Sequence, residues 1–196
     1  MKKRTLIIPA LFLAIFIVHP SCPAQTGKVS TGLEVLRESG FEVLKGKRVG
    51  LITNPSGVDH ELRSGVDILF RAPGVKLVAL YGPEHGVRGE YTAGEIIGSS
   101  VDPATGLKVY SLYGSTRKPT KVMLEGIDVL VYDIQDIGSR SYTFISTLGL
   151  AMEAAAENRI PFVVLDRPNP LGGRIVEGPL LNLGGIFRHQ LPLRHG

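Results

Sequence analysis

The stretch Ile127-Asp128-Val129-Leu130-Val131-Tyr132-Asp133-Ile134 decides the fold, because Val, Leu and Ile occupy it almost without interruption. Such an apolar run is typical of a strand that a parallel sheet buries on both faces. Similar short runs recur along the chain and alternate with segments whose apolar residues are spaced for one helix face. This alternation predicts an α/β protein with a mostly parallel sheet and helices on both faces.

The other elements follow from the same patterns, working outward from this strand. Further strands are expected over residues 48–53, 75–81, 107–113 and 161–165, the third of them more exposed. Thr31 and Glu34 form a capping box that predicts a helix ending near Ser39. Three more helices are expected: one capped by Asp59 with Leu62, Val66, Leu69 and Phe70 on one face, a short one that begins at Pro119 and contains Met123 and Leu124, and one over 142–158 with Ile145, Leu148 and Met152 on one face.

The N-terminus has the pattern of a signal peptide. Lys2, Lys3 and Arg4 precede an apolar run over residues 6–18, which is shorter than the roughly 20 residues that a spanning helix needs. We therefore expect export, with residues 1–24 removed before Gln25, or with Cys22 as the lipid-modified first residue of a lipoprotein; an uncleaved anchor is the alternative. Residues 25–30 are predicted as a linker, 31–170 as one domain, and 171–196, which lack periodicity, as the truncated start of an inter-domain or C-terminal segment.

Charge and motif content exclude several functions. Residues 1–24 hold three basic residues and no acidic one, and without them 19 basic and 18 acidic residues remain, which gives no basis for nucleic-acid binding. Membrane contact is expected only through the signal segment or a lipid on Cys22, which is the sole cysteine and therefore forms no internal disulfide. No Gly-x-Gly-x-x-Gly follows the first strand, no Walker loop or Gly-x-Ser-x-Gly elbow occurs, and the five histidines lack paired spacing. We expect no nucleotide, no metal and no other cofactor.

Polar side chains follow four of the predicted strands at the point where each strand ends. Ligands of open parallel sheets bind at the carboxyl ends of the strands, so these clusters predict one active-site edge. The residues concerned are Asn54 after the first strand, Glu84, His85 and Arg88 after the second, Asp133, Gln135, Asp136 and Arg140 at and beyond the end of the strand at 127–134, and Asp166, Arg167 and Asn169 after the last.

The residue types at this edge allow more than one interpretation. Glu84 stands beside a histidine in a Gly- and Pro-rich loop, where its proton affinity could be adjusted for acid–base chemistry; the alternative is an ion pair with Arg88 that staples the loop. Asp133 either faces the cleft or binds backbone amides of the next loop. Asp166 and Arg167 form either a sugar-binding pair or an internal salt bridge. Three strand tyrosines could stack on sugar rings, although strand aromatics more often belong to the core; they are Tyr81, Tyr110 and Tyr113.

Several of these segments together resemble one protein family. The segments are residues 50–57, 81–89, 109–114 with 117–120, 133–138, 165–170 and 176–179. They are similar to motifs of the NamZ-type exo-β-N-acetylmuramidases, glycoside hydrolase family 171. The resemblance implies a Rossmann-like N-terminal domain, a second α/β domain that would be missing from this chain, and a cleft between the two. It also implies release of N-acetylmuramic acid from the non-reducing ends of peptidoglycan glycan strands, with Glu84 as the presumed catalytic glutamate.

These expectations combine into a mechanistic hypothesis. Glu84 would protonate the glycosidic oxygen while a second group stabilises the cation or activates water. This group would be Asp136, or else Glu95 or a residue of the second domain that the resemblance implies. His85 and Arg88 would orient Glu84 or hold the substrate carboxylate. A non-catalytic module that binds peptidoglycan sugars, and another peptidoglycan glycosidase or amidase, are the alternatives. The predicted substrate-binding residues are Asn54, Arg88, Glu95, Asp133, Gln135, Arg140, Asp166, Arg167, Asn169 and His195.

Overall fold

A six-stranded sheet organises the part of the chain that the computed structural model describes, which is residues 29–92, 98–139 and 141–178. The strands are β1 (Arg48–Thr53), β2 (Lys76–Gly82), β3 (Ser100–Val101), β4 (Lys108–Ser111), β5 (Val129–Asp133) and β6 (Phe162–Val164). The helices are α1 (Gly32–Glu38), α2 (Gly65–Phe70) and α3 (Phe144–Glu157), with short 3₁₀ turns at Glu42–Leu44 and Val122–Leu124.

The strand order is β3-β4-β2-β1-β5-β6, and every pair is parallel except β3 with β4. From β1 the chain adds β2 and β4 on one side, and it then returns to add β5 and β6 on the other. The order therefore reverses between β1 and β5, which is the position where open parallel sheets bind their ligands. The predicted α/β fold with a mostly parallel, Rossmann-like sheet is confirmed.

Two apolar clusters cover the two faces of the sheet. On one face α1 and α2 contribute Leu33, Leu36, Val66 and Leu69, which pack against the buried side chains of the central strands. On the other face α3 and the 3₁₀ turn at Val122–Leu124 pack against a second cluster. Two buried strand tyrosines fix this second layer, because the hydroxyl of Tyr132 donates to Phe144 O (2.9 Å) and that of Tyr81 donates to Met123 O (2.6 Å).

The face that α3 turns toward the sheet differs from the predicted one. Ala151, Ala154 and Ala155 are buried against the strands, whereas Met152 is 48% exposed. Small side chains let the helix axis approach the sheet closely, and this close packing, rather than the position of the largest apolar residues, sets the rotation of the helix. The assignment of Met152 to the core face was wrong; Ile145 and Leu148 are partly buried.

Asp59 does not cap α2, which begins only at Gly65 with Ser64 as its cap. The Oδ1 atom of Asp59 instead accepts the amides of Glu61 (3.0 Å) and Arg63 (2.9 Å). These bonds close a tight turn in which Leu62 has a left-handed backbone (φ 59°) and is 80% exposed. Asp is well suited to either task, since its short side chain bonds nearby amides in turns as readily as at helix ends.

The remaining elements agree with the sequence patterns more closely. The capping box of α1 is present, with the Thr31 amide donating to Glu34 Oε2 (2.7 Å) and the Glu34 amide donating to Thr31 Oγ1 (3.4 Å). The third predicted strand is shorter than expected, and the antiparallel strand β3 that pairs with it was not predicted.

Candidate active site

The five parallel strands end at one edge of the sheet, and the four predicted polar clusters all follow strands at this edge. We call it the rim, and it comprises the segments that directly follow β1, β2, β4, β5 and β6. Its predicted members within the described residues form hydrogen bonds and ion pairs with different partners. Glu95, Arg140 and His195 lie outside the described residues.

Glu84 occupies a tight turn directly after β2. The Gly86 amide donates to Pro83 O (3.1 Å), and His85 adopts a left-handed backbone (φ 75°) at the third position of the turn. A type II turn has this geometry, and glycine normally supplies it because a side chain there is strained. The Nδ1 atom of His85 lies 3.3 Å from Tyr91 O. A strained residue beside the predicted catalytic glutamate is typical of functional sites, where the surrounding structure fixes an unfavourable backbone.

Tyr113 is a neighbour of Glu84 that the predicted site did not include. The register of β2 and β4 pairs Gly82 with Ser111, so the residues two positions beyond each strand lie side by side. A hydrogen bond with the Glu84 carboxylate is the main reason that the pKa of the Tyr113 phenol is raised; burial adds to the effect and the charge of Arg117 opposes it. By contrast, Tyr81 is fully buried and stacks on Tyr110, with ring centroids 5.4 Å apart, as core aromatics do.

Arg88 does not form an ion pair with Glu84, and it pairs instead with two carboxylates from other elements. Its Nε lies 2.5 Å from Asp102 Oδ1, and its Nη2 lies 2.8 Å from Asp67 Oδ1. Both interactions involve more than one guanidinium nitrogen. The alternative of a Glu84–Arg88 ion pair was wrong. The role of Arg88 in holding the substrate carboxylate stays a prediction that these contacts do not favour, because two acidic partners already occupy its donors.

Asp133 and Arg167 form a bidentate ion pair that is almost fully inside the protein. The distances are 2.7 Å from Arg167 Nε to Asp133 Oδ1 and 3.0 Å from Nη2 to Oδ2, and the side chains are 6% and 1% exposed for Arg167 and Asp133. Arg167 Nη2 also donates to Val58 O (3.0 Å). Burial raises the pKa of the Asp133 carboxyl, and Arg167 opposes this rise. Arg167 thus pairs with Asp133 and not with Asp166, whose exposed carboxylate accepts the Arg167 amide (2.9 Å).

Asn54 and Gln135 link the ends of the two central strands. Asn54 Oδ1 accepts the Ser56 amide (3.0 Å) and hydroxyl (2.5 Å), and Ser56 Oγ in turn accepts the Gln135 amide (2.9 Å). The side-chain amide of Gln135 donates to Asp136 O (2.6 Å) and Pro168 O (2.8 Å). These contacts hold backbone segments in place, so the predicted substrate contact of Gln135 is not favoured by its geometry.

Asp136 is a predicted rim residue with one carboxylate oxygen that accepts no hydrogen bond from the described residues. Its Oδ1 accepts the Gly138 amide (2.7 Å), whereas its Oδ2 is buried and has no hydrogen-bond partner among the described residues. Asn169 packs so closely on Gly138 that a Cβ there would lie 2.4 Å from Asn169 Oδ1. Asp136, Arg167 and Asn169 line a cavity of about 590 Å³ together with Ile145 of α3.

Residues 29–92, 98–139 and 141–178 contain neither a metal-binding cluster nor a membrane-spanning helix. Within these ranges no group of three or more His, Cys, Asp or Glu side chains is arranged to hold a metal ion. The helices in the same ranges are also too short or too polar for any of them to cross a bilayer. The expectation that the protein needs no cofactor stays a prediction.

The chain is similar to known proteins over most of its length. The family profile described as "Exo-beta-N-acetylmuramidase NamZ, N-terminal" matches residues 49–196. The "Peptidoglycan beta-N-acetylmuramidase NamZ" of Bacillus subtilis (strain 168) is 54% identical over 176 residues, which cover 88% of this chain and 42% of that protein. The chain therefore spans about two fifths of the length of this relative.

Two solved structures share the fold, and both are DUF1343 family proteins from Bacteroides fragilis NCTC 9343. The first is 64% identical with a TM-score of 0.73, covering 79% of this chain and 38% of that one. The second is 34% identical with a TM-score of 0.67, covering 80% of this chain and 39% of that one.

Proposed function

The chain belongs to the exo-β-N-acetylmuramidase NamZ family, and on that premise we propose that the protein is a peptidoglycan glycosidase. It would release N-acetylmuramic acid from the non-reducing ends of glycan strands. The observation that carries this proposal is the position of Glu84, a carboxylic acid in a strained turn at the rim, beside the hydroxyl of Tyr113. Export to the periplasm or the cell exterior belongs to the same proposal, since peptidoglycan lies there.

In the proposed reaction, Glu84 protonates the oxygen of the glycosidic bond as that bond breaks and the muramic acid ring gains oxocarbenium character. Water attacks the anomeric carbon and passes its proton to the second group, which completes hydrolysis. The hydrogen bond with Glu84 that raises the Tyr113 pKa places the Tyr113 phenol beside this carboxyl group. Asp136 stays the proposed second group, because its Oδ2 has no hydrogen-bond partner among the described residues and can accept one from water or a sugar hydroxyl.

The test is Glu84→Gln in the full-length protein, with release of N-acetylmuramic acid from glycan strands as the assay, because the sugar hydroxyl that leaves there needs a proton. Removal of a general acid typically lowers turnover by about 10²–10⁴-fold, and we expect a loss in that range. Glu125→Gln, an exposed glutamate that follows the 3₁₀ turn at Val122–Leu124, serves as the matched control and should keep full activity.

Near-normal turnover by folded Glu84→Gln protein would remove Glu84 from the acid role. Mass spectrometry of digested glycan strands separates the alternatives. A sugar-binding module would leave strands intact and would bind muropeptides equally with or without Glu84. Another peptidoglycan hydrolase would give products other than terminal N-acetylmuramic acid.

A further inference from the structure

The segment that carries Glu84 adopts a backbone that its own residues do not favour. His85, Gly86 and Gly89 all have left-handed φ values, of 75°, 77° and 82°. Glycine adopts this conformation freely, but histidine is strained in it, and such strain persists only where surrounding contacts impose it. Contacts from elsewhere in the fold must therefore add to the local bonds of residues 82–90, such as that from the Arg88 amide to Glu90 Oε2 (3.0 Å).

Two residues just after the turn anchor this segment. The side chain of Val87 is buried in the cluster shared with α1 and α2. Arg88 follows directly and bonds to two separate elements, α2 through Asp67 and the β3–β4 connection through Asp102. Because Arg88 is only four residues from Glu84, a displacement of Arg88 would shift the turn itself.

The charged anchor, which we call the Arg88 clamp, comprises Arg88, Asp67 and Asp102. The Asp102 side chain is 0% exposed, and its Oδ2 also accepts the Thr105 amide (3.0 Å) and hydroxyl (2.6 Å). Burial alone would raise the pKa of the Asp102 carboxyl, but its bonds to Arg88 and Thr105 outweigh burial and lower that pKa. Hydrogen bonds to Asp102 and Asp67 likewise raise the pKa of Arg88. Asp102 and Arg88 thus favour each other's charged forms.

The Arg88 clamp has the features of a positioning device. An arginine fork grips planar carboxylates in a fixed geometry, so it restrains direction as well as distance. It joins the Glu84 turn to a helix on one side and to the sheet edge on the other. We propose that Asp67 and Asp102 act through Arg88 as positioning residues that fix the Glu84 carboxyl at the rim, an inference that rests on the proposed function.

The test compares kcat and KM of variants of the full-length protein on glycan oligosaccharides that end in muramic acid, because their leaving sugar needs the Glu84 proton. Arg88→Gln combined with Asp102→Asn removes the clamp without leaving a buried charge unpaired. Since misplacement of a catalytic group by about 1 Å can cost on the order of 10²-fold, we expect kcat to fall at least about tenfold while KM changes little. Arg88→Lys, which keeps the charge and loses the fork, should give an intermediate kcat. Arg71→Gln, on the exposed residue that ends α2, is the matched control.

A second readout does not depend on hydrolysis. Amide hydrogen exchange of residues 82–90 in this chain should become faster in the double variant, with the rest of the sheet unchanged. The inference is overturned if the folded double variant keeps kcat within twofold of Arg71→Gln, if KM rises with kcat unchanged, or if exchange of residues 82–90 does not change. If instead the parent releases no muramic acid or Glu84→Gln is fully active, the proposed function fails, whatever the exchange data show.

Discussion

Replacing Arg167 with leucine tests how strongly the buried ion pair holds the rim together. The substitution leaves the Asp133 carboxylate, which is 1% exposed, without its partner, and it leaves Val58 O without the guanidinium donor. The pair also joins three rim segments, because Asp133 ends β5, Arg167 follows β6 and Val58 follows β1. Its loss should therefore affect global stability and not only local order.

The expected cost follows from burial. Removing one partner of a buried ion pair typically destabilises a protein by about 3–5 kcal/mol, because the remaining charge has neither water nor counter-ion. For a domain of this size, each kcal/mol lowers Tm by about 2–4 °C, so a drop of roughly 6–20 °C is expected. Burial already raises the pKa of Asp133, so this carboxyl can take up a proton when unpaired, and the cost should shrink as pH falls.

Urea denaturation followed by circular dichroism measures this cost in a double-mutant cycle. Asp133→Asn alone and Arg167→Leu alone should each destabilise the protein, while the double variant should lose at least about 1 kcal/mol less than the sum. Arg174→Leu, at an exposed arginine, is the matched control and should change stability by less than about 0.5 kcal/mol. A cost below about 1 kcal/mol for Arg167→Leu, or strict additivity in the cycle, would contradict the assignment of a buried, coupled pair.

Two further predictions concern α1. Hydrogen bonds from the Thr31 amide and from His60 lower the pKa of Glu34 from 4.5 to about 2, so this carboxylate stabilises the fold above pH 4.5 and the stabilisation is lost as pH falls toward 2. Glu34→Gln should therefore flatten the pH dependence of the urea midpoint over that range, and curves parallel to the parent would refute this. A Cβ on Gly32 would lie 2.4 Å from Asp166 N, so Gly32→Ala should cost about 1–3 kcal/mol by urea denaturation. Gly173→Ala, with no atom within 4 Å of its Cβ, should be near neutral, and equal effects would argue against the close approach of α1 to the end of β6.

Local signals in the sequence were sufficient to predict much of the fold. The capping box needs only Thr31 and Glu34 three residues apart, and β1 has the bounds that were predicted from the short apolar run around Leu51 and Ile52. The face of α3 could not be predicted in the same way, because Met152 is larger and more apolar than Ala155. The distance between helix and sheet decides which of these two side chains fits between them. That distance depends on all the side chains packed in the same layer.

The candidate site, too, could be predicted only in part from local sequence signals. Placement of Glu84 and Asp136 at one edge followed from strand patterns, because parallel strands share a carboxyl end. The proximity of Tyr113 to Glu84 could have been inferred had the β2–β4 register been known. The carboxylate partners of Arg88 and Arg167 could not be predicted, since they lie 14 to 34 residues away and depend on how loops fold back.

The position of β1 between β2 and β5 has a consequence for any molecule that touches Glu84 and Asp136 together. Neighbouring strands lie about 4.8 Å apart, so the backbones leading to these two carboxyl groups are separated by roughly 10 Å. A ligand that reaches both must straddle the turn at Asn54 and Pro55, and Gly89 already lies against the Pro55 ring. This turn contains a proline and is held by the Asn54–Ser56 bonds, so it offers such a ligand a stiff surface between the two carboxyl groups.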